Sequence, residues 1–214
     1  MAETLTLRDV CILKEGMPLI EVDRSIAPGE VLTVMGPSGV GKSTLLAFLT
    51  GTLPRGFSGM GRIILGDEDV TDAPPHMRRM GILFQNDLLF PHMSVGGNAA
   101  FGLDPGGSRA ARRDRVAEAL ADVGLADFED RDPATLSGGQ KARVSLVRML
   151  LSEPRALLLD EAFSGLDAAL RQQIRDLVFG RARARGLPVV MVTHDAEDAC
   201  AAGGPVYELE RYAG

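Results

Sequence analysis

The sequence predicts an α/β fold built on a parallel sheet, and three observations carry that prediction. Short apolar runs at 31–35 (VLTVM), 82–84 (ILF), 156–159 (ALLL) and 189–192 (VVMV) are nearly continuous. Strands buried on both faces read this way, and parallel sheets bury both faces. Helical patterns lie between the runs, the alternation that parallel strands with crossover helices require. The first run also opens into a glycine-rich turn, GPSGVGKST, with a helical pattern after it.

The 214 residues, 45% of them hydrophobic, suffice for one large domain or two lobes sharing a core. Residues 3–30 and 60–70 (TLTLRDVCIL, GRIILGDEDV) read as short strands with turns, an N-terminal antiparallel β patch. The pattern 42–50 reads as a helix capped by Gly51. From 87 to 150 no strand is evident. Helices are expected at 110–123, ending at Gly124, and at 140–151, where Leu146, Val147, Leu150 and Leu151 recur at helical spacing. The expected organisation is a single domain, 1–214. Its α/β core and β patch take 1–86 and 152–214, and a helical lobe, 87–151, is inserted into it.

The net charge of −6 argues against a generic nucleic-acid or anionic-lipid binder, which needs basic surface. Arg109, Arg112, Arg113 and Arg115 form a local basic cluster, read as a solvated helix face. Two cysteines, Cys11 and Cys200, make neither a disulfide framework nor a zinc site, and a cytosolic compartment is expected. Glu3, Asp9, Lys14 and Glu15 interrupt any signal-peptide core. No apolar run reaches the ~18–20 residues of a membrane span. A soluble chain is expected, tied to a membrane only through partners.

The turn Gly36, Pro37, Ser38, Gly39, Val40, Gly41, Lys42, Ser43, Thr44 fits G-x-x-x-x-G-K-[ST] between a strand and a helix. Its glycines let backbone N–H groups turn inward around a polyphosphate. Lys42 suits the β- and γ-phosphates, and the Ser43 hydroxyl suits Mg²⁺. The run ALLLDE delivers Asp160 and Glu161 at a strand's C-terminal end, where open α/β sheets bind ligands. Asp160 suits the Mg²⁺ shell, and Glu161 a base for the attacking water. Gln85 follows GILF and offers an uncharged oxygen to Mg²⁺ or water. His194 ends the strand VVMVT and suits a γ-phosphate or water contact. A second glycine pair, in TLSGGQKARV at 135–144, has the form of another phosphate-holding helix start but lacks a lysine.

GPSGVGKST, Gln85, LSGGQ, LLLDE, SGLD and a strand-terminal histidine occur in the order and spacing of the ABC transporter ATPase subunits, which the chain resembles from about residue 4 to 198. The stretch FQNDLLFPHMSVGGNAAFGL further resembles the ATPases of binding-protein-dependent importers of small solutes such as thiamine, polyamines, sulfate or iron.

The resemblance implies an ABC ATPase cassette, a P-loop NTPase (RecA-like) core carrying the β patch and the helical lobe, with ATP and Mg²⁺ as cofactors. Two copies would pair head to tail. Leu136, Ser137, Gly138, Gly139 and Gln140 of one would then meet the ATP held by the other's phosphate loop. Glu161 would be the base, His194 the γ-phosphate switch, and Gln85 a Mg²⁺ sensor linked to the membrane subunit. Asp167 would couple the two sites at the seam. Transmembrane permease subunits would dock near residues 85–95, with Leu89, Phe90, Pro91 and Met93 part of the surface; Leu89 and Phe90 serve equally as core of the helical lobe. A substrate-binding protein would complete an assembly at the cytoplasmic face of the inner membrane, without nucleic acid.

Three departures from the family pattern stand out. The aromatic residue that stacks on adenine would fall near Leu13, but the first aromatic residue is Phe48. Ala162 stands where proline is common. After His194 the sequence is abbreviated, with no regulatory β-rich domain expected. An exporter or lipoprotein-release ATPase is the nearest alternative. A soluble ABC ATPase acting on DNA or ribosomes is disfavoured by acidity and by the compact lobe between the two loops. A non-hydrolysing switch is disfavoured by Glu161 and His194.

Overall fold

A computed structural model of the chain describes residues 3–209; the outermost ends of the expected core ranges, 1–2 and 210–214, lie outside the described residues. In chain order the strands are β1 (Leu5–Lys14), β2 (Met17–Ile26), β3 (Val31–Met35), β4 (Phe57–Leu65), β5 (Glu68–Asp69), β6 (Met80–Phe84), β7 (Ala156–Asp160), β8 (Val189–Val192) and β9 (Val206–Glu208). The helices are α1 (Lys42–Thr50), α2 (Val95–Ala100), α3 (Arg109–Ala121), α4 (Gly138–Leu151), α5 (Ala168–Arg185) and α6 (Ala196–Ala202). The chain divides into two compact units. One runs up to Met80, resumes over Arg155–Glu161 and continues from Phe179; the other takes Gly81–Pro154 and Ala162–Val178.

The first unit holds two sheets. The antiparallel patch has the order β2-β1-β4-β5. Its strands alternate as half-buried strands must: Leu5, Leu7, Val10 and Ile12 of β1 and Ile20, Val22 and Ile26 of β2 face the core. In the parallel sheet β7, β8, β3 and β9 neighbour one another in that order. β3, β7 and β8 are buried along almost their whole length, as their continuous apolar runs require. Their register is the key to the site: Val34 pairs with Val192, and Val192 pairs with Asp160. Three strands therefore end level, and whatever follows each one emerges at one sheet edge.

α1 starts at Gly41 and stops at Gly51, both left-handed (φ 108° and 74°). Leu45, Leu46, Phe48 and Leu49 are buried. A Cβ at Gly59 of β4 would collide with the Phe48 ring, so that glycine makes room for the helix. The C-terminal end of α1 is held by Arg78. Its guanidinium, 6% exposed, donates to the carbonyls of Phe48 (2.8 Å), Leu49 (3.0 Å), Ala73 (2.8 Å) and Thr71. One side chain thus serves two carbonyls of the last turn of α1, that of Phe48 being shared with the Gly51 N–H at 3.1 Å. Arg155, just before β7, ties Glu3, Glu68 and the Leu65 carbonyl together.

The second unit is mostly helical. Its core gathers Val95, Ala99, Leu103, Val116, Leu120, Val123, Leu125, Leu136, Val144, Val147 and Leu151. α4 begins at Gly138, two residues before the apolar periodicity suggests, because Ser137 caps it there. α3 begins at Arg109 under a Ser108 cap and ends at Ala121 rather than 123, where Asp122 to Gly124 turn out of the helix. Arg109, Arg112, Arg113 and Arg115 are exposed or half-exposed, the solvated face expected of them.

Arg78→Leu removes the guanidinium from four carbonyls, those of Phe48 and Leu49 in buried contacts, and we expect a loss of about 3 kcal/mol of stability. Urea denaturation measures it directly.

Candidate functional site

The loop after β3 is shaped by its glycines. Gly36, Gly39 and Gly41 have φ of 151°, 80° and 108°, values that L side chains rarely adopt. A Cβ at Gly36 would lie 2.8 Å from the Leu209 carbonyl, and one at Gly41 would lie 2.9 Å from Ile20 Cδ1 and 3.0 Å from Leu19 Cδ2. Val40, 3% exposed, anchors the loop from beneath. Pro37, Ser38 and Gly39 are exposed. Lys42, 6% exposed, curls back so that Nζ donates to the carbonyls of Gly36 (2.7 Å) and Pro37 (3.1 Å). The ammonium already sits over the loop that would enclose a phosphate. A cavity of ≈ 230 Å³ is lined by Ser38, Gly39, Gly41, Lys42, Ser43, Thr44 and Glu161.

β7 brings the acidic pair to the same place. The Ser43 hydroxyl donates to Asp160 Oδ1 at 2.9 Å. Two hard oxygens side by side fit Mg²⁺, which takes one or two protein oxygens together with phosphates and water. Among the described residues there is no cluster of three or more His, Cys, Asp or Glu that could hold a metal. Burial raises the Asp160 carboxyl above its ordinary value. The Ser43 hydrogen bond opposes this, the Glu161 charge adds to it, and Lys42 opposes it.

Glu161 occupies left-handed space (φ 47°), which costs a non-glycine residue about 1–2 kcal/mol. Its N–H donates to the Val192 carbonyl at 3.0 Å, which pins that conformation. The turn sends two adjacent carboxylates in different directions. His194, exposed, leaves β8 with Nδ1 3.4 Å from Glu161 Oε1. Behind it, Thr193 Oγ1 donates to Asp198 and accepts from the Asp195 N–H, and Asp195 caps α6. Lys42, Ser43, Asp160, Glu161 and His194 are thus brought together within one unit.

The remaining candidate residues belong to the other unit. Gln85 is exposed directly after β6. Asp167 caps the start of α5, accepting from the Leu170 N–H at 3.0 Å. Leu136, 6% exposed, is core, so its side chain anchors the loop rather than facing a ligand. Ser137 and Gln140 form a reciprocal capping box: Gln140 N–H donates to Ser137 Oγ (3.3 Å), and Ser137 N–H to Gln140 Oε1 (2.9 Å). The spacing S-x-x-Q is a sequence signal for this arrangement. The two glycines between them differ. A Cβ at Gly139 would strike Leu170, whereas one at Gly138 would meet nothing within 4 Å. Packing inside this chain therefore explains Gly139 and leaves Gly138 unexplained.

A model of the ABC transporter family matches residues 19–164. An uncharacterized ABC transporter ATP-binding protein of Escherichia coli K12, YnjD, is 47% identical over 186 residues, 87% of this chain and 86% of that protein. The Fe(3+) ions import ATP-binding protein FbpC 1 of Rhizobium meliloti is 44% identical over 182 residues, 85% of this chain and 51% of its own length. The spermidine/putrescine import ATP-binding protein PotA of Marinobacter nauticus is 42% identical over 193 residues, 90% of this chain and 51% of its own. The chain therefore spans about half the length of these two import proteins.

Because its carboxyl is raised, Asp160 contributes stability that is present below the unfolded value and lost as pH rises through the folded one. Asp160→Asn, which can still accept from Ser43, should raise the melting temperature of the nucleotide-free chain at pH 7. The gain should fade as pH falls toward about 3.9, the value for an unfolded aspartate. Calorimetry across that range checks it.

Proposed function

The chain belongs to the ABC transporter family and is one of its ATPases, and on that premise we propose that it is the motor of a small-solute importer. Two copies close head to tail on ATP and drive permease subunits at the cytoplasmic face of the inner membrane, supplied by a substrate-binding protein. The observation that carries this reading is the meeting of Lys42, Ser43, Asp160, Glu161 and His194 around one loop. The relatives named for iron and polyamine import favour uptake.

In this reading Lys42 exchanges the carbonyls of Gly36 and Pro37 for the β- and γ-phosphate oxygens. Ser43 and Asp160 would supply oxygens to Mg²⁺, which when bound would neutralise charge on the phosphates; Gln85 keeps the Mg²⁺-sensing role that the family resemblance implies. Glu161 accepts the proton of the water whose oxygen bonds to the γ-phosphorus as the bond to ADP breaks. His194, beside Glu161, holds that water or the γ-phosphate in line. Ser137, Gly138 and Gly139 of the partner copy close over the γ-phosphate from the capped start of α4. A helix start carries about half a positive charge, which suits developing negative charge. The open side of Gly138 supports such an approach. Asp167, at the start of α5, couples the two halves.

Residues 85–95 and their neighbours are the proposed permease contact. Leu89 packs on the helical core and Val95 is buried. Pro91 is exposed and Phe90 and Met93 are half-buried; Phe84 (42%), Leu88 (57%) and Phe101 (64%) add exposed apolar surface, the Phe101 ring lying tilted 4.8 Å from that of Phe90. Among the described residues no helix is long and apolar enough to cross a membrane.

Glu161→Gln should abolish turnover and trap an ATP-dependent dimer on size-exclusion chromatography; a monomer with full ATPase activity would sink the mechanism. Recovery of polytopic membrane proteins with the tagged chain supports transport, and recovery of ribosomes overturns it. Leu13 is half-buried opposite Pro18, and aliphatic Leu19 and Ile20 lie against Gly41. Leu13→Trp should therefore tighten ATP binding by about tenfold, the gain of one stacked base, measured by fluorescence titration. An unchanged affinity would mean that another group holds the base.

A further inference from the structure

The loop that follows Gln85 is fastened to α4, the helix that Ser137 caps. The Ser145 hydroxyl donates to the Asp87 carbonyl at 3.1 Å. Arg148 lies one turn further along and donates to the same carbonyl at 3.0 Å and to that of Leu88 at 2.8 Å. A 3.4 Å contact from Arg148 Nη2 to Ser145 Oγ joins the two donors. The guanidinium also lies 5.6 Å from the centre of the Phe90 ring. Leu88 is held left-handed (φ 46°), a conformation that a leucine keeps only when its surroundings impose it.

The other side of both elements is equally fixed. A Cβ at Gly102 would collide with the Arg148 carbonyl, so α4 is approached closely there. Asn98, fully buried, accepts from the Phe90 N–H and donates to the carbonyls of Phe90, Met93 and Ser94. The segment from Asp87 to Ser94 therefore has little independent freedom. Ser137 to Arg148 spans about 16 Å of one helix, at about 1.5 Å per residue. A regular helix of that length transmits displacement without bending much.

The geometry points to Arg148, assisted by Ser145, as a positioning residue that makes the Gln85 loop and the SGGQ helix start shift as one piece. The inference rests on the head-to-tail reading above. A partner pressing on the exposed Leu88 side chain would then move the end of α4 that closes over the other copy's ATP. Arg148 touches neither nucleotide nor water in this role; it acts through α4. A residue that merely stabilised the loop would leave the far end of the helix unaffected, and that difference is measurable.

Hydrogen exchange by NMR on the full chain without nucleotide separates the two. In Arg148→Met the amides of residues 88–90 should exchange about tenfold faster, and so should those of Gln140 and Lys141. The amides of α1 should not change. Arg148→Lys, which keeps charge but not the planar fork, should be intermediate. Ser145→Ala should shift both segments in the same direction by less, and these milder variants carry the test if Arg148→Met does not fold. In the Glu161→Gln background, Arg148→Met should need about tenfold more ATP to dimerise, with fluorescent-ATP binding to the monomer unchanged. Faster exchange confined to 88–90, no change in either segment, or dimerisation at unaltered ATP would overturn the inference. Failure of Glu161→Gln alone to dimerise would instead sink the head-to-tail reading, and the nucleotide-free exchange result is independent of it.

Discussion

The pairing of Val34 with Val192 and of Val192 with Asp160 is the constraint on which the rest of the site depends. Three parallel strands ending level turn sequence separations of more than a hundred residues into hydrogen-bond distances. Ser43 and Asp160 meet at 2.9 Å because β3 and β7 flank β8 in register. A slip of one residue would turn each affected side chain to the opposite face. The continuous apolar runs bury both faces of the sheet, so the register is held by packing on two sides. The polar chemistry is confined to the strand ends, where burial is incomplete and phosphates can enter.

The backbone at those ends is used as much as the side chains. Glu161 is held in left-handed space by a hydrogen bond to Val192, and Gly36, Gly39 and Gly41 hold φ values that an ordinary residue resists. Strain of this kind survives only where the surroundings over-determine it. Here the strands, α1 and Arg78 do so. The C-terminal end of α1 is fixed by a buried guanidinium rather than left to fray, which keeps Gly41 to Ser43 where the loop needs them.

Much of this was legible in the sequence. The strands at 31–35 and 189–192, the helix from Lys42 to Thr50 and its Gly51 cap followed from apolar periodicity and glycine placement. Lys42 and Ser43 were legible from the G-x-x-x-x-G-K-[ST] spacing, and Asp160, Glu161 and His194 because each falls at or just after the end of a buried run. Less legible were the residues that act through packing. Arg78 reaches the carbonyls of Phe48 and Leu49, Arg148 those of Asp87 and Leu88, and Asn98 those of the loop just before it, and nothing in local spacing marks an arginine or asparagine for that purpose. The early start of α4 was readable from S-x-x-Q, but apolar periodicity, which begins later, obscured it. The difference between Gly138 and Gly139 depends on where Leu170 of α5 lies, which only the fold decides.

The capping box at Ser137 has a consequence for polarity. The serine oxygen is engaged inward as an acceptor from the Gln140 N–H, which leaves the hydroxyl hydrogen and one lone pair for anything that approaches. The N–H groups of Gly138 and Gly139 belong to the first turn, where no helical carbonyl precedes them. The Gly138 and Gly139 N–H groups are therefore donors seeking an oxygen, whereas those of Ser137 and Gln140 are already engaged in the capping box. Such a surface discriminates by the sign of what approaches it: an electron-rich oxygen is welcomed, and a protonated or cationic group is not.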